Sequence, residues 1–311
     1  MLDRKTLLEL LILILLIAAL PASAQGLQRI YWADFGESTI RRMLADGSGV
    51  SLLVTSSQAS GPTDLAVDTI GGHIYWCDTG TNSVKRSDLS GNGIVTLVSS
   101  GLSFPNGIAL DVDMGHMYLT SFGTGEILRA DLSGSNLIAI HSLLGSQPRG
   151  IGLDLAAGKM YFQYAGTQQI LRSNLDGSAI ETLISTGSIP HDLEVDPIGG
   201  KVYWVELGSE RVRRMNLDGS AVEDIVVRAL RPRGIGIELD DGTLWWTEAE
   251  PGDPVLATSN LDGSQLSEPL AGTPLDDPWG IYATAPEPGT TLGLVVGVLA
   301  LVGLARLRRA R

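Results

Sequence analysis

Between residues 27 and 284 apolar and polar side chains alternate in short runs, and no helical period appears. The runs fall into units of four. An alternating strand follows a proline, as in Gly107-Ile108-Ala109-Leu110-Asp111. A glycine turn such as Ile198-Gly199-Gly200 leads to an aromatic strand, as in Val202-Tyr203-Trp204-Val205-Glu206. A third strand carries an apolar-basic pattern, as in Val212-Arg213-Arg214, and ends in Asn216-Leu217-Asp218-Gly219; a β-branched fourth strand follows. The Asp-Gly pairs at 46–47, 176–177, 218–219 and 262–263 favour positive φ, the signal of a two-residue hairpin turn.

The unit occurs six times. Its aromatic strand is marked by Tyr31-Trp32, Tyr75-Trp76, Tyr118-Leu119, Tyr161-Phe162, Tyr203-Trp204 and Trp245-Trp246, spaced 44, 43, 43, 42 and 42 residues apart. Four short strands at a period of about 40–45 residues are a propeller blade. The expected fold is all-β: a six-bladed β-propeller of four-stranded antiparallel blades. The phase of the repeat predicts how it closes. The first unit starts on its aromatic strand, and the strand missing before it appears at the far end as Pro278-Trp279-Gly280-Ile281-Tyr282-Ala283. The N-terminal blade is therefore completed by the C-terminal strand, which hides sheet edges.

Ile30-Tyr31-Trp32-Ala33-Asp34 and Ile74-Tyr75-Trp76-Cys77-Asp78, with their downstream Leu-Asp-Gly-like turns, resemble LDL-receptor class B (YWTD) repeats. The resemblance implies a six-bladed propeller in which Trp32, Trp76, Trp204 and the aspartates Asp34 and Asp78 are structural. The motif weakens at Tyr118-Leu119-Thr120-Ser121 and Tyr161-Phe162-Gln163-Tyr164, and no cysteine-rich module flanks the repeats.

Composition narrows the function. The net charge is −13; the two ends hold six basic and three acidic residues, so the segment 25–285 carries −16. That argues against a nucleic-acid binder, which needs a basic footprint. A single cysteine, Cys77, excludes a disulfide scaffold.

The ends read as targeting segments. Residues 1–24 combine Arg4 and Lys5, an apolar run and Ala22-Ser23-Ala24, as in a secretory signal peptide; an uncleaved anchor is the alternative. Residues 286–311 hold Pro286-Glu287-Pro288, an apolar stretch from Thr290 to Ala305, and Arg306, Arg308, Arg309 and Arg311. Together these resemble the PEP-CTERM sorting signal, which implies removal by an exosortase-type protease. The alternative is an ordinary tail anchor. On this reading the apolar stretch is a short transmembrane helix. It anchors the exported protein transiently at the inner membrane before it reaches the outer surface or the extracellular space.

Six equivalent positions follow the loop prolines at the channel mouth: Thr63, Asn106, Arg149, His191, Arg233 and Trp279. Variable chemistry in a fixed frame is where a site can be built. Arg149 and Arg233, with a titratable His191 between them, suggest a basic patch for a peptide carboxylate or an acidic sugar, with Tyr164 and Trp279 for stacking. Pairing of the arginines with Glu206 or Asp192 is the alternative. Arginines closing the third strands, such as Arg42, Arg172 and Arg214, suggest blade-to-blade pairing with carboxylates. No nucleophile elbow, metalloprotease helix, P-loop or EF-hand is present.

The favoured expectation is a non-enzymatic protein- or polysaccharide-binding propeller at the cell envelope, without cofactor. The alternative is a metal-dependent, lactonase-like hydrolase or lyase. Six-bladed lactonases and streptogramin lyases use a divalent metal at the channel mouth, and Asn106 with Asp64, Asp192 or Glu206 is the corresponding set here.

Overall fold

Six antiparallel sheets surround a central channel in the computed structural model, which describes residues 28–269 and 275–284. The innermost strands are Pro62–Asp68, Pro105–Asp111, Pro148–Asp154, Pro190–Asp196, Pro232–Glu238 and Pro278–Ala283. Each packs against the next, and the last against the first. Closure is as expected: Pro278–Ala283 pairs antiparallel with Arg29–Asp34, with Ile30 opposite Ala283 and Trp32 opposite Ile281.

The aromatic pair works because successive strand residues face opposite ways. In each blade the first aromatic faces the following blade and the second faces the preceding one. Tyr31 thus shares a core cluster with Trp76, Tyr118 with Phe162, Tyr161 with Trp204 and Tyr203 with Trp246. Trp245 meets Trp32 across the closing joint. Tyr75 meets Leu119, so a joint tolerates loss of the tryptophan when another large apolar group fills the space.

The innermost strands crowd at their third residue. Gly107, Gly150, Gly234 and Gly280 stand there, and a Cβ on any of them would run into the next blade: 2.4 Å from the Arg149 carbonyl oxygen at Gly107, 1.8 Å from the Trp279 carbonyl oxygen at Gly234. The other two blades carry aspartate at this position and span the gap with a carboxylate. Asp64 accepts the Ile108 N–H at 2.9 Å, and Asp192 accepts the Ile235 N–H at 3.0 Å. The strand ends are capped in register too. Asp68, Asp111, Asp154 and Asp196 each accept the N–H three residues on, at 2.6–3.1 Å, and so order the turn into the aromatic strand.

Three expectations need correction. The sheet built on Pro232–Glu238 has three strands among the described residues, and its fourth is reduced to an isolated Thr258–Ser267 bridge. Its sequence there, Ser264-Gln265-Leu266-Ser267-Glu268-Pro269, lacks β-branched residues and ends on a proline that cannot donate to a ladder. Second, the outer arginines do join neighbouring blades, but through carbonyls. Arg42, Arg172 and Arg214 donate to the carbonyls of Leu89, Leu217 and Leu261 at 2.9–3.0 Å, while Glu181 and Glu223 pair with Arg172 and Arg214 within their own blades. Third, among the described residues no helix is long and apolar enough to cross a membrane. The anchoring helix expected over 290–305, and the localisation drawn from it, are withdrawn. About 16 residues would rise only about 24 Å, short of a hydrocarbon core of about 30 Å. That stretch, like the rest of the two targeting segments, lies outside the described residues.

Substituting Gly234 by alanine should separate the closing blade joint, at a cost of about 2–3 kcal/mol from overpacking against backbone. The melting temperature should fall by several degrees. An unchanged thermal melt would show that the strands do not approach so closely.

Candidate functional site

The six mouth positions do not share one role. Thr63 is a latch: it is 3% exposed, and its hydroxyl donates towards the carbonyls of Pro105 (3.1 Å) and Asn106 (3.0 Å) in the next blade. Asn106 is buried beside it. The structure brings the other four together. His191 Nδ1 lies 2.8 Å from the Arg233 carbonyl oxygen, which can only accept, so Nδ1 carries the proton. Its Nε2 is then the acceptor for two guanidiniums, Arg149 Nη1 at 2.8 Å and Arg233 Nη1 at 3.1 Å. Burial and the two cations hold the imidazole well below its ordinary range. The expected titratable ring is a neutral clamp.

The arginines are unequally compensated. Arg233 has Asp277 at 3.7 Å. Arg149 has no carboxylate within ion-pairing distance among the described residues, and its Nε is buried without a hydrogen-bond partner. Burial, with Arg233 adding to it, depresses its guanidinium to about 10. Neither Glu206 nor Asp192 pairs with either arginine. Glu206 is buried between the Trp204 indole N–H (2.8 Å), Ser209 and Arg213 (3.1 Å), one strand out from the channel. Tyr164 is also displaced from the expected face. It is fully buried against Phe162 and His141, in the joint that holds Tyr118.

Asp34 and Asp78 are fully buried and bonded to backbone. Asp34 accepts the N–H groups of Glu37 and Asp276, and Asp78 those of Ser60 and Thr81, while Lys85 pairs with it at 2.7 Å. The tryptophans behind them, Trp32 and Trp76, are buried with their indole N–H unpartnered; only the longer glutamates of later blades reach back to the indole, as Glu206 does to Trp204.

Above the clamp lies a cavity of about 170 Å³, lined by Phe35, Phe104, Phe122 and Trp279 with Thr63, Thr79, Asn106 and Arg149. Trp279 stacks on Phe35 at 4.8 Å between centroids, and Arg149 lies over Phe122 at 4.9 Å. The sequence reading missed the phenylalanines. The signal was there: three of the chain's four phenylalanines stand here, Phe35 directly after the motif acid Asp34, Phe122 directly after Ser121 at the equivalent position, and Phe104 directly before a loop proline. Phe104 is 55% exposed at a φ of 49°, a conformation that few non-glycine residues adopt.

Below the clamp the channel narrows to about 10 Å³ between Thr63, Asn106, His191, Arg233 and Trp279, then widens to about 210 Å³. Asp64, Asp192, Glu194 and Tyr282 line the wider part among aliphatic side chains. Burial lifts Asp64 to about 7 and Glu194 to about 8, with Asp64 adding repulsion at Glu194; Asp192 is raised well above its usual range for the same two reasons. Among the described residues no three His, Cys, Asp or Glu side chains are grouped to hold a metal ion.

With this geometry in view, the chain can be compared with known proteins. Residues 72–112, one blade length, match the model of the low-density lipoprotein receptor repeat class B family. No curated protein matches. A chain from a nidogen/laminin complex superimposes with a TM-score of 0.73 at 20% identity, covering 84% of this chain and 99% of that one. TolB from Acinetobacter baumannii gives 0.69 at 16% identity, covering 88% and 70%. A catalytically inactive virginiamycin B lyase from Staphylococcus aureus, solved with quinupristin, gives 0.61 at 16%, covering 86% and 94%. These likenesses agree with the propeller fold that the six sheets show, a fold that serves both binding proteins and lyases.

The channel acids set a pH dependence. A carboxyl whose pKa is raised on folding binds protons more tightly in the folded state, so stability falls as pH rises. For Asp64 and Glu194 the fall spans the interval from their ordinary values, 3.8 and 4.5, to about 7 and about 8. The melting temperature should therefore be higher at pH 5.5 than at pH 8.5. Glu194→Gln should flatten that difference and raise the melting temperature at pH 8.5. A Glu194→Gln profile parallel to the wild type would place the acid in water.

Proposed function

We propose that the chain is a non-enzymatic binding propeller of the YWTD type that captures a partner protein at its channel mouth. One observation carries this reading. An aromatic cavity open to solvent sits beside an arginine with no compensating carboxylate among the described residues, and the imidazole at the mouth is held neutral as a structural clamp. An acid–base catalyst at the mouth needs a group free to exchange protons near neutral pH; His191 is committed at both nitrogens, and Asp64 and Glu194, whose raised carboxyls titrate there, line the wider channel below the constriction. The lactonase-like alternative has less support, because Asp64 and Asp192 are tied to backbone N–H groups of neighbouring blades and Glu206 faces elsewhere. The likeness to a propeller solved in a nidogen/laminin complex favours protein over polysaccharide as partner.

Peptide and glycan arrays probed with the wild type and with Phe104→Ser/Phe122→Ser test this. Peptide signals that vanish in the folded double variant are expected. Signals that persist, or that come from glycans alone, would overturn the reading.

Processing of the protein at both ends is supported by their sequence. The expected processing is cleavage after Ala24, leaving Gln25 first, and exosortase-type removal of the tail after Pro286-Glu287-Pro288. Intact mass of the secreted protein checks both. A mass retaining Arg306 to Arg311 in a host with the matching protease would reject the sorting signal.

A further inference from the structure

Size, lining and charge of the mouth cavity together select one kind of ligand, provided the mouth is the binding surface proposed above. About 170 Å³ holds one phenyl-sized or branched aliphatic group, since an apolar cavity of about 150 Å³ takes benzene. The lining leaves little for a sugar. The hydroxyls of Thr63 and Thr79 are both within hydrogen-bond distance of the Pro105 carbonyl, at 3.1 and 2.6 Å, which leaves the Asn106 amide as the polar side-chain group in the cavity besides Arg149. Most sugar hydroxyls would be buried without partners.

The charge asks for an anion. Arg149 spends Nη1 on the neutral His191, its Nε is buried without a partner, and no carboxylate of the described residues lies within ion-pairing distance. A guanidinium fork matches a carboxylate. Because Arg149 lines the same cavity as the rings, acid and apolar group must belong to one residue. Within a polypeptide only the C-terminal residue offers both from one Cα. Phe104, more than half exposed at the rim, gives the preceding residues an apolar surface to cross.

We infer that the cavity receives the C-terminal residue of a partner protein, its aromatic or branched apolar side chain among the phenylalanines and its free carboxylate on Arg149.

The probes are an N-terminally fluorescent peptide ending Gly-Ser-Gly-Ser-Phe with a free carboxylate, the same peptide as its C-terminal amide, and 3-phenylpropanoate as competitor. Anisotropy is read against the full-length protein. The acid should bind saturably and the amide about tenfold or more weakly, the scale of a lost charge-assisted hydrogen bond. Arg149→Met should lose the same factor for the acid and change nothing for the amide. Arg149→Lys, which keeps charge but not the fork, should recover part of the loss. Equal binding of acid and amide would overturn the inference, as would wild-type affinity in a folded Arg149→Met. Competition by 3-phenylpropanoate at the peptide's own affinity would make a small aromatic acid the ligand and overturn the C-terminal assignment. Binding of none of the three would also overturn it. The array result for Phe104→Ser/Phe122→Ser then decides separately whether the mouth binds a partner at all.

Discussion

Six strands cannot converge on one axis unless their side chains give way, and this crowding shapes the whole molecule. The third residue of each inner strand must be either absent as a side chain or short enough to reach across. Glycine satisfies the first condition in four blades; aspartate satisfies the second at Asp64 and Asp192. The second solution brings two carboxylates into the channel, where little water can solvate them, and that is why they resist ionisation. The same crowding pushes the larger second residues upward and outward to the mouth. Arg149, His191, Arg233 and Trp279 meet there because the axis below has no room for them.

Their meeting settles what the mouth can do. A histidine flanked by two arginines is an expensive arrangement unless the ring stays neutral and accepts from both, and the Arg233 carbonyl enforces that tautomer. The clamp fixes the guanidinium of Arg149 against aromatic faces and leaves it without a counter-ion among the described residues. Rigid, half-buried charge beside apolar surface is the pattern of a recognition site whose complement lies on another molecule.

The fold was legible because it is written in repetition. Pro, Tyr-Trp and Asp-Gly recur at a period that only a blade explains, and the phase of Arg29–Asp34 against Pro278–Ala283 disclosed the closure. The site was legible only in part. Position along a strand shows which end of the channel a residue faces, so the six mouth residues were found, but not which neighbours compete for them. Thr63 became a latch, Glu206 turned to partners within its own blade and Tyr164 into a blade joint, because local partners lay closer than the channel. Phe35, Phe104 and Phe122 escaped notice because each sits one residue outside a motif. The failing fourth strand before residue 270 was hidden by a hairpin turn as regular as the others.

Trp279 belongs to the last strand of the ring to leave the ribosome. Until Pro278–Ala283 pairs with Arg29–Asp34, the first blade lacks its inner edge, and the mouth lacks the indole on which Phe35 and both arginines rest. The polypeptide therefore has no assembled mouth while it is still being synthesised. The proposed capacity to engage a partner arises at the same moment as resistance to unfolding. A chain truncated before the final strand would lose both together, and could not compete with intact copies for the same partner.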